Sequence, residues 1–427
     1  MVEASKFLFD KATVGMECCD LIHPWTNGCI DGTSSMLWNS IKGSYKFYAA
    51  LYMVQIILKG KKINAKYLTK QGKSYLWSGA FGFFVGTSFV TFNCILRKFL
   101  FSKFHYYTTV FLPCFLGGVG IFCEPPHRRY LVVDTFFNLV LEYWVKTLEH
   151  KGFLKRTPLK ETLLFMAGSS YLFYLMRQER EKGNRMSLLW FFTPPTVKNQ
   201  PAPNTGYIGN DTNDSMYCPH SGNCRDYILK GTVSMFGLGC AMSMLRTVVP
   251  RLATPVKALR SIKAKQFNLG FFLGGYIGIY RLVTCILCRR NKKDSAKYAI
   301  PAGFLAGTAF WFKPTTSFAL ASITSILHIL CSRMYEYNIL PEKWPLPELV
   351  YALCQGLLFH ARVMHPELCP RYITNLLNTV TSGKCLQVFF YTMQCRSRSL
   401  MNEFFFLILP CLIHICFTNI FLHFVSC

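Results

Sequence analysis

Cys18, Cys19, His23 and Cys29 near the start of the chain, and Cys218, His220 and Cys224 near its middle, are the residues whose types and spacing could do chemistry. Thiolates and imidazoles are zinc ligands, and either group, or both together, could surround one tetrahedral ion. The spacing is irregular, however, and neither group contains the paired Cys-x-x-Cys of a zinc ribbon. The same thiols could close disulfides in an oxidising compartment, an option that falls away in a reducing one. They could also simply pack. Many of the nineteen cysteines lie within apolar runs (Cys94, Cys114, Cys240, Cys285, Cys331), where the side chain behaves as a small hydrophobe. Metal, disulfide and packing are thus three open readings, and no motif requires a cofactor.

Asp134, Glu142, Lys313, His328 and His360 form a second set, because they fall in or beside apolar stretches. A charge at the bilayer centre costs at least about 2.5–3.5 kcal/mol, so such residues are functional candidates by default. Each also has a structural reading. Lys313 stands at a helix end and can snorkel, His328 can be a neutral packed imidazole, and the two acids, roughly on one helical face, suit an interface. There is no Walker loop, His-Glu-x-x-His, nucleophile elbow or dinucleotide fingerprint, and no assembled nucleophile, base and orienter. No catalytic residue is expected, and no enzyme.

The elements that would position these residues are membrane helices. Of the 427 residues, 51% are hydrophobic and 16% charged, against about 25% charged in soluble domains. The apolar residues come in runs at 75–96, 107–123, 267–288 and 404–425, each near the roughly 17–25 residues of a spanning helix. Only helices or closed barrels satisfy a backbone in hydrocarbon, and these runs lack the alternation of barrel strands. The net charge of +26 lies between the runs: Lys59, Lys61, Lys62, Lys66, Lys70 and Lys73; Arg97, Lys98 and Lys103; Arg289, Arg290, Lys292 and Lys293. That pattern points to a lipid bilayer with anionic headgroups and away from nucleic acid. The opening segment has no continuous apolar core, so internal helices are expected to direct insertion.

Internal similarity organises the chain. The Gly82-x-x-x-Gly86 stretch recurs at Gly270 and Gly274, and Cys94, Ile95 and Leu96 recur as Cys285, Ile286 and Leu287. Phe115–Gly118 recurs as Phe304–Gly307, Pro125 as Pro314 and Glu161 as Glu348. Residues 23–29 have a looser echo at 219–224. The expected fold is an all-α, multi-pass transmembrane helical bundle built from two internally duplicated units. Its segments are a cysteine-rich N-terminus (1–40), a first membrane unit (41–176), a polar linker rich in Pro, Gly and Asn (177–217), a second unit with its Cys/His group (218–365), and a C-terminal segment (366–427) carrying the apolar run 404–425. The linker holds two glycosylation sequons, at Asn210 and Asn213. Glycines at Gly82, Gly86, Gly117, Gly118, Gly270, Gly274, Gly278, Gly303 and Gly307 make a seam of small residues on which helices can approach closely. Helix 130–145, with Asp134 and Glu142, is the one expected not to span.

Several of these stretches resemble a known family. Phe267, Gly270, Gly274, Tyr280, Arg281 and Cys285, then Ala302–Gly307 and Lys313–Ser317, are similar to the transmembrane protein 135 family, also called peroxisomal membrane protein 52. His23, Pro24, Trp25 and Cys29, the helix at Tyr48–Tyr52, residues 94–98 and the segment 218–224 resemble its cysteine-rich region. The glycine-rich helices are more distantly similar to the mitochondrial import-translocase channel family. The resemblance implies peroxisomal and mitochondrial membranes, with lipid droplets. It also implies a role in mitochondrial fission–fusion balance, peroxisome organisation and fatty-acid homeostasis. A translocator of a lipid or metabolite is the alternative reading. A cytosolic dynamin-like GTPase of the fission machinery, recruited through the basic loops, is the partner considered. Chains of that family end in a polar tail, from which the run 404–425 departs.

Overall fold

In a computed structural model the chain is helical, with no strand among the described residues. Those residues are 6–59 (save 8 and 12), 63–99, 103–182, 217–248 (save 221), 264–341 and 344–392. The apolar run 404–425, the sequons and most of the linker 177–217 lie outside them. The chain divides into two compact units, residues 1–143 with 345–427, and residues 144–344.

The first unit is built on a hairpin of two long helices, α1 (Cys29–Lys59) and α2 (Ala65–Phe99). Their contact is tight because α2 presents glycines: a Cβ on Gly82 would sit 2.8 Å from Ser44 Oγ, and one on Gly86 2.6 Å from Ser40 Oγ. Next come α3 (Phe111–Gly117), running into a 3-10 turn at Gly118–Cys123, and α4 (Pro126–His150). The expected span at 107–123 is therefore not one continuous α-helix. Seven α and six 3-10 residues reach about 22 Å, short of the roughly 30 Å hydrocarbon core, so this element cannot cross alone.

The second unit also has a long pair, a short helix with a 3-10 turn and a further helix, here preceded by one more long helix. Helix α5 (Pro158–Glu181) starts with Pro158 and a Thr157 cap whose hydroxyl accepts from the Lys160 backbone N–H at 3.3 Å. A long pair follows, α6 (Cys224–Val248) and α7 (Asn268–Asn291), then the short α8 (Ala299–Ala306) with its 3-10 turn at Gly307–Phe312, and α9 (Thr316–Glu336). Helices α10 (Leu346–Met364) and α11 (Arg371–Val380) return to the first unit.

The compact units do not follow the sequence segments 41–176 and 218–365. Helix α5, from the first half of the chain, packs on α8 and α9, whereas α10, from the second half, packs on α3. The small residues of the short helices make these docking faces. Gly303 lies against Ser169 and Ser170 of α5 and Gly307 against Met166, while Gly118 lies against Ala352 of α10.

Among the described residues, three helical stretches are long and apolar enough to cross a membrane: Ala65–Phe99, Ala264–Asn291 and Thr316–Glu336. Only 50%, 50% and 28% of their most apolar windows are buried within the protein. Leu76, Trp77 and Ile95 of α2, Phe271, Leu282 and Ile286 of α7, and Phe318 and Leu327 of α9 point outward. Apolar faces of that length are unstable in water and fit hydrocarbon. The chain is a multi-pass helical membrane protein.

Candidate metal centres

Among the described residues, two groups of four side chains each bring their ligand atoms within 4.8 Å of one another: Cys18, His23, Cys29 and Cys94 in the first unit, and Cys218, His220, Cys224 and Cys285 in the second. The same elements supply them in both. A segment ahead of the first long helix contributes a cysteine and the histidine, that helix contributes its first residue (Cys29 or Cys224), and its hairpin partner contributes a cysteine near its C-terminal end (Cys94 or Cys285). A thiolate at a helix N-terminus sits in the favourable field of the helix dipole.

The histidines are held in place. The Nδ1–H of His23 donates to the Thr26 carbonyl at 3.0 Å, which leaves Nε2 buried and without a hydrogen-bond partner. The fully buried ring lies against α1 at Gly32, where a Cβ would fall 2.7 Å from its Cγ. The ring of His220 stacks on Tyr227, with centroids 4.1 Å apart, and its Nε2 lies 3.3 Å from Cys285 Sγ. The Sγ atoms of Cys218 and Cys224 are 3.6 Å apart, well beyond the roughly 2.05 Å of a disulfide.

Charge differs between the groups. The Cys18 thiol is pulled down to about 5, chiefly by the hydrogen bond from Cys94 and then by His23, which is itself raised to about 9 by Cys18. In the second group burial dominates and pushes the Cys218 thiol up to about 11. A guanidinium stands near each group, Arg97 by Cys18 and Arg289 by Cys218.

Residues 15–147 match the family model of the N-terminal cysteine-rich region of Transmembrane protein 135. Over that stretch, about a third of the chain, the protein is similar to the transmembrane protein 135 family. The matched region holds all four residues of the first group, and the second group lies beyond it. No solved structure matches the chain.

The structure distributes the other sequence candidates as follows. Cys19 stays outside the first group, its thiol 3.8 Å from Glu17 Oε2. Gly82 and Gly86 pack on α1, Gly117 on Ser88 and Gly118 on α10. Gly270, Gly274 and Gly278 pack on α6 at Cys240, Phe236 and Thr232, and Gly303 and Gly307 on α5. Asp134 and Glu142 are half-buried on α4, as are Lys313 after its 3-10 turn and His328 on α9. His360 is buried, its ring 4.9 Å from that of Tyr106.

Sequence reasoning missed Cys94 and Cys285 as partners of the two groups, because both sit in apolar helices. The signal was there: both cysteines open a Cys-Ile-Leu stretch, and the two Cys/His segments loosely echo one another. It also missed the buried polar pairs. Glu124, ahead of α4, accepts from the Ser78 hydroxyl at 2.9 Å and lies 3.3 Å from Arg128 Nε. In the second unit the fully buried Arg177 reaches Asp294 Oδ1 at 2.6 Å, while its Nε and Nη1 find no hydrogen-bond partner.

Proposed function

We propose that this chain is a non-enzymatic protein of peroxisomal and mitochondrial membranes that sets the balance of mitochondrial fission and fusion, peroxisome organisation and lipid homeostasis. The observation that carries the reading is the match of residues 15–147 to the transmembrane protein 135 cysteine-rich region, on a chain whose long helices turn apolar faces outward. In keeping with the duplicated unit inferred from the repeated motifs, each compact unit has a long helix pair followed by a short helix with a 3-10 turn and a further helix. A basic recess of Lys66, Lys70, Lys73 and His127 suits an acidic partner surface, in keeping with recruitment of a dynamin-like GTPase. The test is deletion of the chain followed by measurement of mitochondrial length and peroxisome number, with a tagged copy located by microscopy. Unchanged organelles, or a tagged copy confined to other membranes, would sink it.

One observation favours the second reading, a translocator of an amphipathic metabolite. The first unit has a partly open cavity of about 140 Å³ with mostly apolar walls, including Phe81, Val85 and Leu377, and with Glu124 and Arg128 among its lining. An apolar pocket with a few convergent polar groups is the usual form of a small-molecule site. Flux of fatty acyl or acyl-CoA probes across liposomes holding the purified chain, lost in Glu124→Gln, would support it; no flux for any probe counts against it.

A further inference from the structure

We propose that each unit binds one zinc ion in a tetrahedron of three thiolates and one imidazole: Cys18, His23, Cys29 and Cys94 in the first unit, Cys218, His220, Cys224 and Cys285 in the second. The inference goes beyond the organelle role and does not depend on it.

Geometry carries the argument. Zinc takes sulfur at about 2.3 Å and nitrogen at about 2.0–2.1 Å, so a tetrahedron places sulfurs about 3.8 Å apart and sulfur and nitrogen about 3.6 Å apart. The observed 3.6 Å between Cys218 and Cys224 and 3.3 Å between Cys285 and His220 lie close to those edges. With all ligand atoms inside 4.8 Å there is space for a single ion and not for a polynuclear cluster. A disulfide would use two thiols and leave a third cysteine and the histidine with no role. Three thiolates and one imidazole around a closed tetrahedral site is a set that structural zinc prefers.

Recurrence is the second line. Four residues lie between Cys18 and His23 and five between His23 and Cys29, whereas one lies between Cys218 and His220 and three between His220 and Cys224. Loops of different length would not converge on the same four-residue set by packing alone. The His23 Nδ1–H bond to the Thr26 carbonyl is the outer-shell contact that zinc-bound histidines make, since it fixes the tautomer and leaves Nε2 for the metal. On binding, Zn²⁺ takes up the three sulfurs and the imidazole nitrogen, and the thiol protons pass to solvent. The complex carries a charge of −1, which Arg97 and Arg289 stand near enough to offset. Each ion ties the preceding loop to both helices of its long pair.

The test is metal analysis of the full-length chain, purified in detergent under reducing conditions and passed through metal-free buffer. The expected content is two zinc ions per chain, falling to one in Cys94→Ser and in Cys285→Ser and to none in the double variant, while Cys19→Ser keeps both. Because those serine variants could fail to fold, the unaltered chain is also exchanged with cobalt, which should give the strong visible bands of tetrahedral thiolate-bound Co²⁺ with the amplitude of two ions. The proposal is overturned if the unaltered chain carries no zinc and shows no such bands. Iron in place of zinc, or two zinc ions retained in the double variant, overturns it equally.

Discussion

The two Cys/His groups contain the same residue types at the same points of two helix pairs, yet their surroundings differ. In the first, Cys29 is exposed and Cys94 half-buried; in the second all four residues are buried. The first unit packs Phe81, Val85, Phe136, Tyr351 and Phe359 in its interior and has a cavity beside Glu124. The second packs aromatic side chains such as Phe165, Phe173, Tyr276 and Phe310 against Ala299, Ala302 and Ala306, with the Arg177–Asp294 pair buried. The Cys/His group is thus partly exposed in the first unit and buried in the second. The close approach at Gly303 and Gly307 rests on their missing side chains, because a backbone can approach only as near as its Cβ atoms allow.

Access should separate the two proposed zinc sites most sharply. A chelator added to the purified chain is expected to strip the first ion while the second remains, followed as metal per chain over time. Simultaneous loss would break the contrast between a partly exposed and a buried site. Next in size is Arg177→Met. Removing one member of a buried ion pair typically costs about 3–5 kcal/mol because the partner charge stays buried, whereas Arg177→Met with Asp294→Leu should recover most of that loss. Thermal unfolding in detergent, read for both variants, measures the difference.

A smaller effect is expected from Gly32→Ala. The new methyl would meet the His23 ring, and crowding of this kind costs about 1–3 kcal/mol. Zinc should weaken in the first site alone, and equal weakening in both would argue against independent units. The smallest effect is a pH slope. Burial pushes the Glu124 carboxyl up to about 7, with the Ser78 hydroxyl partly opposing. A carboxyl raised above its unfolded value stabilises the fold below about 4.5, and that contribution is lost as pH rises through about 7. The melting temperature of the unaltered chain should therefore fall between pH 5 and 8, and the fall should be reduced in Glu124→Gln. An unchanged slope in that variant would place the titration elsewhere.

Much of this could be read from residue order alone. Apolar runs of bilayer length dictate membrane helices, because hydrocarbon leaves the backbone no other way to satisfy its polar groups. The repeated Gly-x-x-x-Gly stretches and the recurring Cys-Ile-Leu marked the two long pairs. Breaking of the short helices at Gly118 and Gly307 was not visible, since a run of apolar residues does not distinguish an α-turn from a 3-10 turn. The crossing of α5 and α10 into the opposite units was hidden for a related reason. A glycine face records that some helix will come close, and not which one.

The candidate site shows the same division. Sequence by itself determined that cysteines and histidines gather ahead of each long helix pair, because those segments are local in the chain. Only the tertiary structure decided that Cys94 and Cys285 complete the groups and that Cys19 does not. The fourth ligand comes from the far end of the partner helix, 65 residues after Cys29 and 61 after Cys224. A metal tetrahedron is a condition on distances in space. Within a helix hairpin, the chain ends brought together are those farthest apart in sequence, where spacing rules carry no information.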